Sequence, residues 1–263
     1  MKAATAGAAA ALALLLSLIV WWAPSATQAA GTSAQATIAA SLSPESLGGR
    51  TAASFRADLI GAEGGIPPPA SRIAVMLPNG LLSARLEWPS TSGCSLAHLR
   101  LRGARGCGAR SQIGRGQALI GWNEGQREVT EHVALSVFIG LTDRDWTIGV
   151  VRLEILAEGT APIRRRFVLP TALVTLGSTD YSGALEATIP PIAMGHGSSD
   201  ASLLSFSLTL GTGRRPRFSG RGLFGGMGLF VPSSCPAGGF PWAVEVTSQS
   251  GSAQQAATAL ACP

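Results

Sequence analysis

Arg72-Ile73-Ala74-Val75-Met76-Leu77-Pro78-Asn79-Gly80-Leu81-Leu82-Ser83-Ala84-Arg85-Leu86-Glu87-Trp88 is the stretch that decides the fold. Ile73, Val75 and Leu77 alternate with their neighbours, and Leu82, Ala84, Leu86 and Trp88 alternate with Ser83, Arg85 and Glu87. A period of two is that of a strand with one face buried and one wet, not of a helix. Between the two runs, Pro78 withholds a ladder donor and Asn79-Gly80 supplies residues that tolerate positive φ, so the segment reads as strand, turn, strand.

Downstream, Cys94 and Cys107 bracket an excursion carrying Leu96, Leu99 and Leu101 among Arg100, Arg102 and Arg105. Ile113-Gly114-Arg115-Gly116-Gln117-Ala118 then starts another strand, with glycine where a bulge or a crowded backbone would need it. Further alternating or apolar runs follow over 129–141 and 147–157, joined by Thr142-Asp143-Arg144-Asp145-Trp146 as a hairpin, then over 166–176, 184–189 and 204–210, with a closing strand through Trp242, Val244 and Val246. Upstream lie a small-residue segment at 35–42, suited to a sheet edge, and an alternating run at 54–60. Gly61 to Pro69, with three consecutive prolines, is expected to be irregular. About a dozen strand-like segments and no amphipathic helix predict an all-β fold, an antiparallel β-sandwich that is Ig-like in the broad sense.

Residues 1–30 have the pattern of a secretory signal peptide: Lys2, an apolar run centred on 12–22, Pro24, then small residues to Ala30. The apolar core is short for a span of roughly 20 residues. The expected mature chain, 31–263, is one sandwich domain, or two sub-sheets meeting near 121–130, with no transmembrane span. Lys2 is the only lysine, so 19 arginines against 15 acids leave a net charge of +4 after cleavage. A lysine-free chain has neither a Schiff-base nor a Walker lysine. Arginine clusters only at 164–166 and 214–217, each read as a solvated strand end or loop, with contact to anionic wall polymer or lipid headgroups as the alternative; nucleic acid is not an expected partner.

Four cysteines in an exported chain read as disulfides. Of three connectivities, Cys94 with Cys107 and Cys235 with Cys262 is favoured, because each pair is nearest in sequence and encloses a loop of small residues. No Cys-x-x-Cys and no histidine at ligand spacing argue against zinc, and no cofactor is expected.

Leu77-Pro78-Asn79-Gly80-Leu81, Cys94, Cys107, Ser111-Gln112-Ile113-Gly114-Arg115-Gly116-Gln117-Ala118 and Cys235-Pro236-Ala237-Gly238-Gly239-Phe240 before Cys262-Pro263 resemble an uncharacterised group of exported actinobacterial β-sandwich proteins. The resemblance covers roughly 72–120 and the last thirty residues, and Gly108 departs from it where such proteins carry proline. It implies architecture, export and disulfide pairing, and no activity.

Signals for chemistry are weak. Gly195-His196-Gly197-Ser198-Ser199-Asp200 holds triad residue types, but adjacent residues do not converge as a triad, and no Gly-x-Ser-x-Gly elbow occurs. Asp143 and Asp145 fall far short of a calcium loop and read as a polar hairpin tip. Gly114-Arg115-Gly116 lacks the lysine and helix of a phosphate loop. The glycine-rich loop 220–230 carries Leu223, Phe224, Met227, Leu229 and Phe230, read either as a core-covering flap or as a contact for a partner or a membrane surface. The expectation is a secreted or envelope-associated, non-catalytic module, not an enzyme, that binds an unknown protein or envelope polymer through its loops, with peripheral membrane contact as a further reading. The alternative is a secreted hydrolase drawing on Glu131, His132, Asp143, Asp145 and His196.

Overall fold

A strand holds its place where its alternate side chains have an interior to fill, and twelve segments among the described residues are strands. The computed structural model describes residues 34–81, 93–108, 111–141, 150–162, 164–194, 199–211 and 229–262. Residues 1–30, the strand expected at 82–88, Asp143, Asp145, His196, Leu223, Phe224 and Met227 lie outside them. The strands are β1 (Gln35–Ser43), β2 (Arg50–Ile60), β3 (Ala70–Pro78), β4 (Gln112–Glu124), β5 (Arg127–Ile139) and β6 (Val150–Gly159). They continue as β7 (Arg166–Thr175), β8 (Tyr181–Thr188), β9 (Ser202–Leu210), β10 (Leu229–Phe230), β11 (Phe240–Ser248) and β12 (Ala253–Leu260).

The all-β expectation holds. Strands pair in the order β1-β2-β9-β4-β5-β6-β7-β8-β3-β11-β12, with β10 joining β2, and every ladder is antiparallel. β4 to β8 form a meander of successive hairpins. Residues 121–127 end β4, turn at Gly125 (φ 62°) and start β5 within one hairpin. The sheet curls until its two ends lie side by side: β1 runs along β12, and Phe55 on β2 meets Trp242 on β11 with ring centroids 6.0 Å apart. This is one nearly closed, barrel-like sheet. The alternation that suggested two facing sheets reads the same in both architectures, because each asks only for one buried and one wet face.

Strand parity ends the antiparallel pattern at the seam. Ten successive antiparallel steps leave β1 and β12 pointing the same way, so the antiparallel ladder that joins every other pair cannot join these two.

The interior is filled by one cluster drawn from nearly every strand, with Phe55, Leu77, Val137, Leu153, Phe240 and Trp242 at most 2% exposed. Gly116 on β4 has a close-packing role, since a side chain there would collide with the Ser207 carbonyl oxygen of β9. The neighbouring Gln112–Gly114 step is a register shift, in line with the strand-start or bulge reading of that motif.

Two elements depart from expectation. The excursion between Cys94 and Cys107 contains a helix, α1 (Leu96–Arg102), where none was expected. Ser95 Oγ accepts from the His98 N–H at 3.1 Å, Gly103 ends the helix at φ 61°, and the Cys94–Cys107 disulfide closes the loop. Leu99, fully buried, packs with Phe138 and Leu156 on the outer side of the sheet as a small second core. The tail beyond β11 is also a full strand, β12, paired to β11 from Phe240↔Leu260 to Thr247↔Ala253, and Cys235–Cys262 staples its far end.

Candidate functional site

One end of the barrel, where β4, β6 and β8 finish and β5, β7 and β9 begin, encloses a cavity of about 80 Å³. Its wall is overwhelmingly apolar: Ala118 and Ile120 of β4, Val133 and Leu135 of β5, Ala157 of β6, and Phe167 of β7. Small residues at 118 and 157 leave space that a leucine or phenylalanine would fill. The connection from β8 to β9 contributes Ile189, Ile192 and Ala201. It is stitched to the barrel at both ends: Ile189 N–H donates to the Ser71 carbonyl of β3 at 2.9 Å, and Ser199 N–H donates to the Asn123 carbonyl at 3.1 Å, while Ala201 N–H donates to the Ile192 carbonyl at 3.0 Å within the connection. Asn123 N–H returns a bond to Ser199 Oγ at 3.0 Å.

A carboxylate faces this apolar space. The inward positions of β5 run Val129, Glu131, Val133, Leu135, so Glu131 enters because it falls on the core side of the alternation. It is 2% exposed. A buried carboxylate needs hydrogen-bond partners to offset its lost hydration, and the backbone is shaped to provide one. Arg164 adopts φ 51°, in the left-handed region, and its N–H reaches Glu131 Oε1 at 3.3 Å. Gly159 makes the room, since a side chain there would collide with that same oxygen. Arg165 also lines the cavity, and its Nη1 donates to the Ala193 carbonyl at 3.1 Å, tying the β6–β7 turn to the cover.

Of the proposed hydrolase residues, the structure places Glu131 at the cavity and His132 on the opposite, exposed side of β5. Asp143, Asp145 and His196 lie outside the described residues. Among the described residues, no three histidine, cysteine, aspartate or glutamate side chains gather as a metal site. Leu229 and Phe230 form β10 on β2: Leu229 is buried, and Phe230 is half-buried with the Arg50 guanidinium 5.2 Å above its ring.

A second buried carboxylate lies on the outer side of β6, in the region covered by α1. Glu154 is 1% exposed and pairs with Phe138 and Pro170 across its two ladders. Arg152 Nε donates to Glu154 Oε1 at 2.9 Å, while Oε2 has no hydrogen-bond partner among the described residues. Burial pushes the Glu154 carboxyl up from its ordinary range, and Arg152, with a smaller contribution from Arg100, pulls it partly back.

Sequence reading did not anticipate the cavity. The available signal was a glutamate at an inward-facing register position between valines; the apolar wall, drawn from several strands and a connection, left no local trace. No protein-family model, no curated protein and no solved structure matches the chain.

Proposed function

We propose that the chain is an exported, non-catalytic binding module that holds a small apolar ligand, or the apolar end of a larger one, in the cavity at the barrel mouth. The observation that carries this reading is an apolar space of about 80 Å³ with one buried carboxylate on its wall. Such an arrangement provides a hydrophobic socket with a carboxylate on its wall. A water needs roughly 10–15 Å³, so the space has room for roughly five to eight atoms of that size. That suits the end of an alkyl chain or a small ring. Export is supported by the leader-like residues 1–30 and by two disulfides, which persist in oxidising compartments. Among the described residues, no helix is long and apolar enough to cross a membrane.

The test is a series of straight-chain alkanols titrated into the disulfide-intact protein, followed by protein NMR shifts. Each added methylene should tighten binding by about 0.8 kcal/mol, or about fourfold, until the cavity is full. Ala157→Leu should abolish the shifts at the cavity wall. Absence of binding, or binding indifferent to Ala157→Leu, refutes the proposal.

A further inference from the structure

α1, packed on the outer side of the sheet, brings one arginine run beside the turn into β7 that carries another, far along the chain. Arg100 and Arg102 on α1 and Arg105 just after it are exposed, as are Arg164, Arg165 and Arg166 leading into β7. The runs meet at Gly103, where an added Cβ would lie 2.9 Å from Arg166 Cζ, so the end of α1 rests on that guanidinium. Arg166 is offset by Glu158 at 2.8 Å, and Arg152 by Glu154 at 2.9 Å. Arg100, Arg102, Arg105, Arg164 and Arg165 make no ion pair among the described residues.

The same face holds an apolar side chain out into water. Leu101, between Arg100 and Arg102, is 79% exposed. Leu141, 51% exposed, bonds through its N–H to the Cys94 carbonyl at the other end of the helix. A seven-residue helix would not hold Leu101 there by itself. The disulfide and the buried Leu99 fix the helix on the barrel, so the arginines and the leucine are presented together. A soluble polyanion would answer the arginines and leave the leucine in water. A bilayer interface answers both, with phosphate oxygens at the depth of the guanidinium groups and the acyl boundary just below.

We infer that α1 and the Arg164–Arg166 turn form a docking face for a bilayer rich in anionic lipid, with Leu101 inserted at the acyl boundary. This goes beyond the cavity reading and stands without it. Because Arg165 also lines the cavity, docking brings the cavity mouth close to the lipid surface.

The test is co-sedimentation of the mature, disulfide-intact protein, residues 31–263, with vesicles of equal parts phosphatidylglycerol and phosphatidylcholine, and with phosphatidylcholine alone. Binding is expected only to the anionic vesicles and should weaken with added salt. The triple variant Arg100→Gln/Arg102→Gln/Arg105→Gln should lose on the order of a hundredfold in affinity. Arg56→Gln/Arg115→Gln/Arg127→Gln removes the same charge elsewhere on the surface and should lose far less. Leu101→Ser should lose about tenfold. All these side chains are exposed, and an unchanged melting profile confirms that each variant is folded. Equal binding to phosphatidylcholine vesicles, or equal losses from the two triples, overturns the docking face. Full binding by Leu101→Ser overturns the lipid assignment in favour of a soluble polyanion.

Discussion

Replacing Gly159 with alanine isolates the contact on which the cavity's charged wall depends. At an ordinary strand position this change stabilises by about 0.4–1 kcal/mol, because alanine gives up less freedom on folding, and Gly159 does not occupy the left-handed region. Here the new methyl would overlap Glu131 Oε1, while the next residue it meets, through the Arg165 carbonyl oxygen at 3.4 Å, is at ordinary contact distance. Oε1 is the tip of a flexible side chain and on a surface would swing aside. Glu131 is 2% exposed and its oxygen is held by the Arg164 N–H, so moving it breaks a buried hydrogen bond to a charged group. That loss, about 1.5–3 kcal/mol, outweighs the backbone gain, and Gly159→Ala should destabilise by about 1–2 kcal/mol. In a Glu131→Ala background the obstruction is gone, and the same change should be neutral or mildly stabilising, a coupling of about 2 kcal/mol. Urea unfolding of the wild type, both single variants and the double variant measures this directly through the midpoints at constant slope. If Gly159→Ala stabilises the wild type, or costs the same with and without Glu131, the glutamate is not held as described and the wall of the cavity has to be redrawn.

Two further outcomes bear on α1. Removing Cys94–Cys107 by a double alanine substitution opens a loop with a sequence separation of 13, worth about 3 kcal/mol in the chain-entropy model, which should lower Tm by roughly 6–12 °C. Hydrogen exchange should then rise first at 96–102 while the β4–β8 ladders stay protected; uniform loss of protection would contradict the picture of a helix stapled onto an independent barrel. Glu154 carries a raised carboxyl, so its contribution to stability is fully present below the ordinary range of an unfolded glutamate and is lost as pH rises through the raised folded value. Glu154→Gln should therefore gain on the wild type as pH rises from 4 to 7, and paired melting curves that diverge in the opposite direction would show that Arg152 outweighs burial.

Much of the fold was legible because strand periodicity is a local property. β2, β4, β5, β6, β7, β9 and β11 each announce themselves through alternating or near-continuous apolar residues, and both disulfides join the cysteines nearest in sequence. α1 was missed because seven residues span two turns, too few for a helical period to stand out; Ser95 at its start and Gly103 at its end were the readable signals. β12 was missed because Ala-Gln-Gln-Ala-Ala-Thr-Ala-Leu alternates with little contrast, as suits an outermost strand whose inner side is only half-buried.

The sequence by itself determined most of the strands and which face of each is apolar, since these depend on residues a few positions apart, and it favoured the cysteine pairs nearest along the chain. The tertiary structure alone decided that β9 sits between β2 and β4, that β3 joins β8 to β11, and that the eleven strands of that order curl into a ring whose first and last run the same way. It also decided that Glu131 faces an apolar space and that the end of α1 rests on Arg166 at the start of β7. The physical reason is that a backbone ladder fixes strand geometry but is nearly indifferent to which strand lies alongside. That choice is made by the collective filling of one interior, and no short window of sequence contains it.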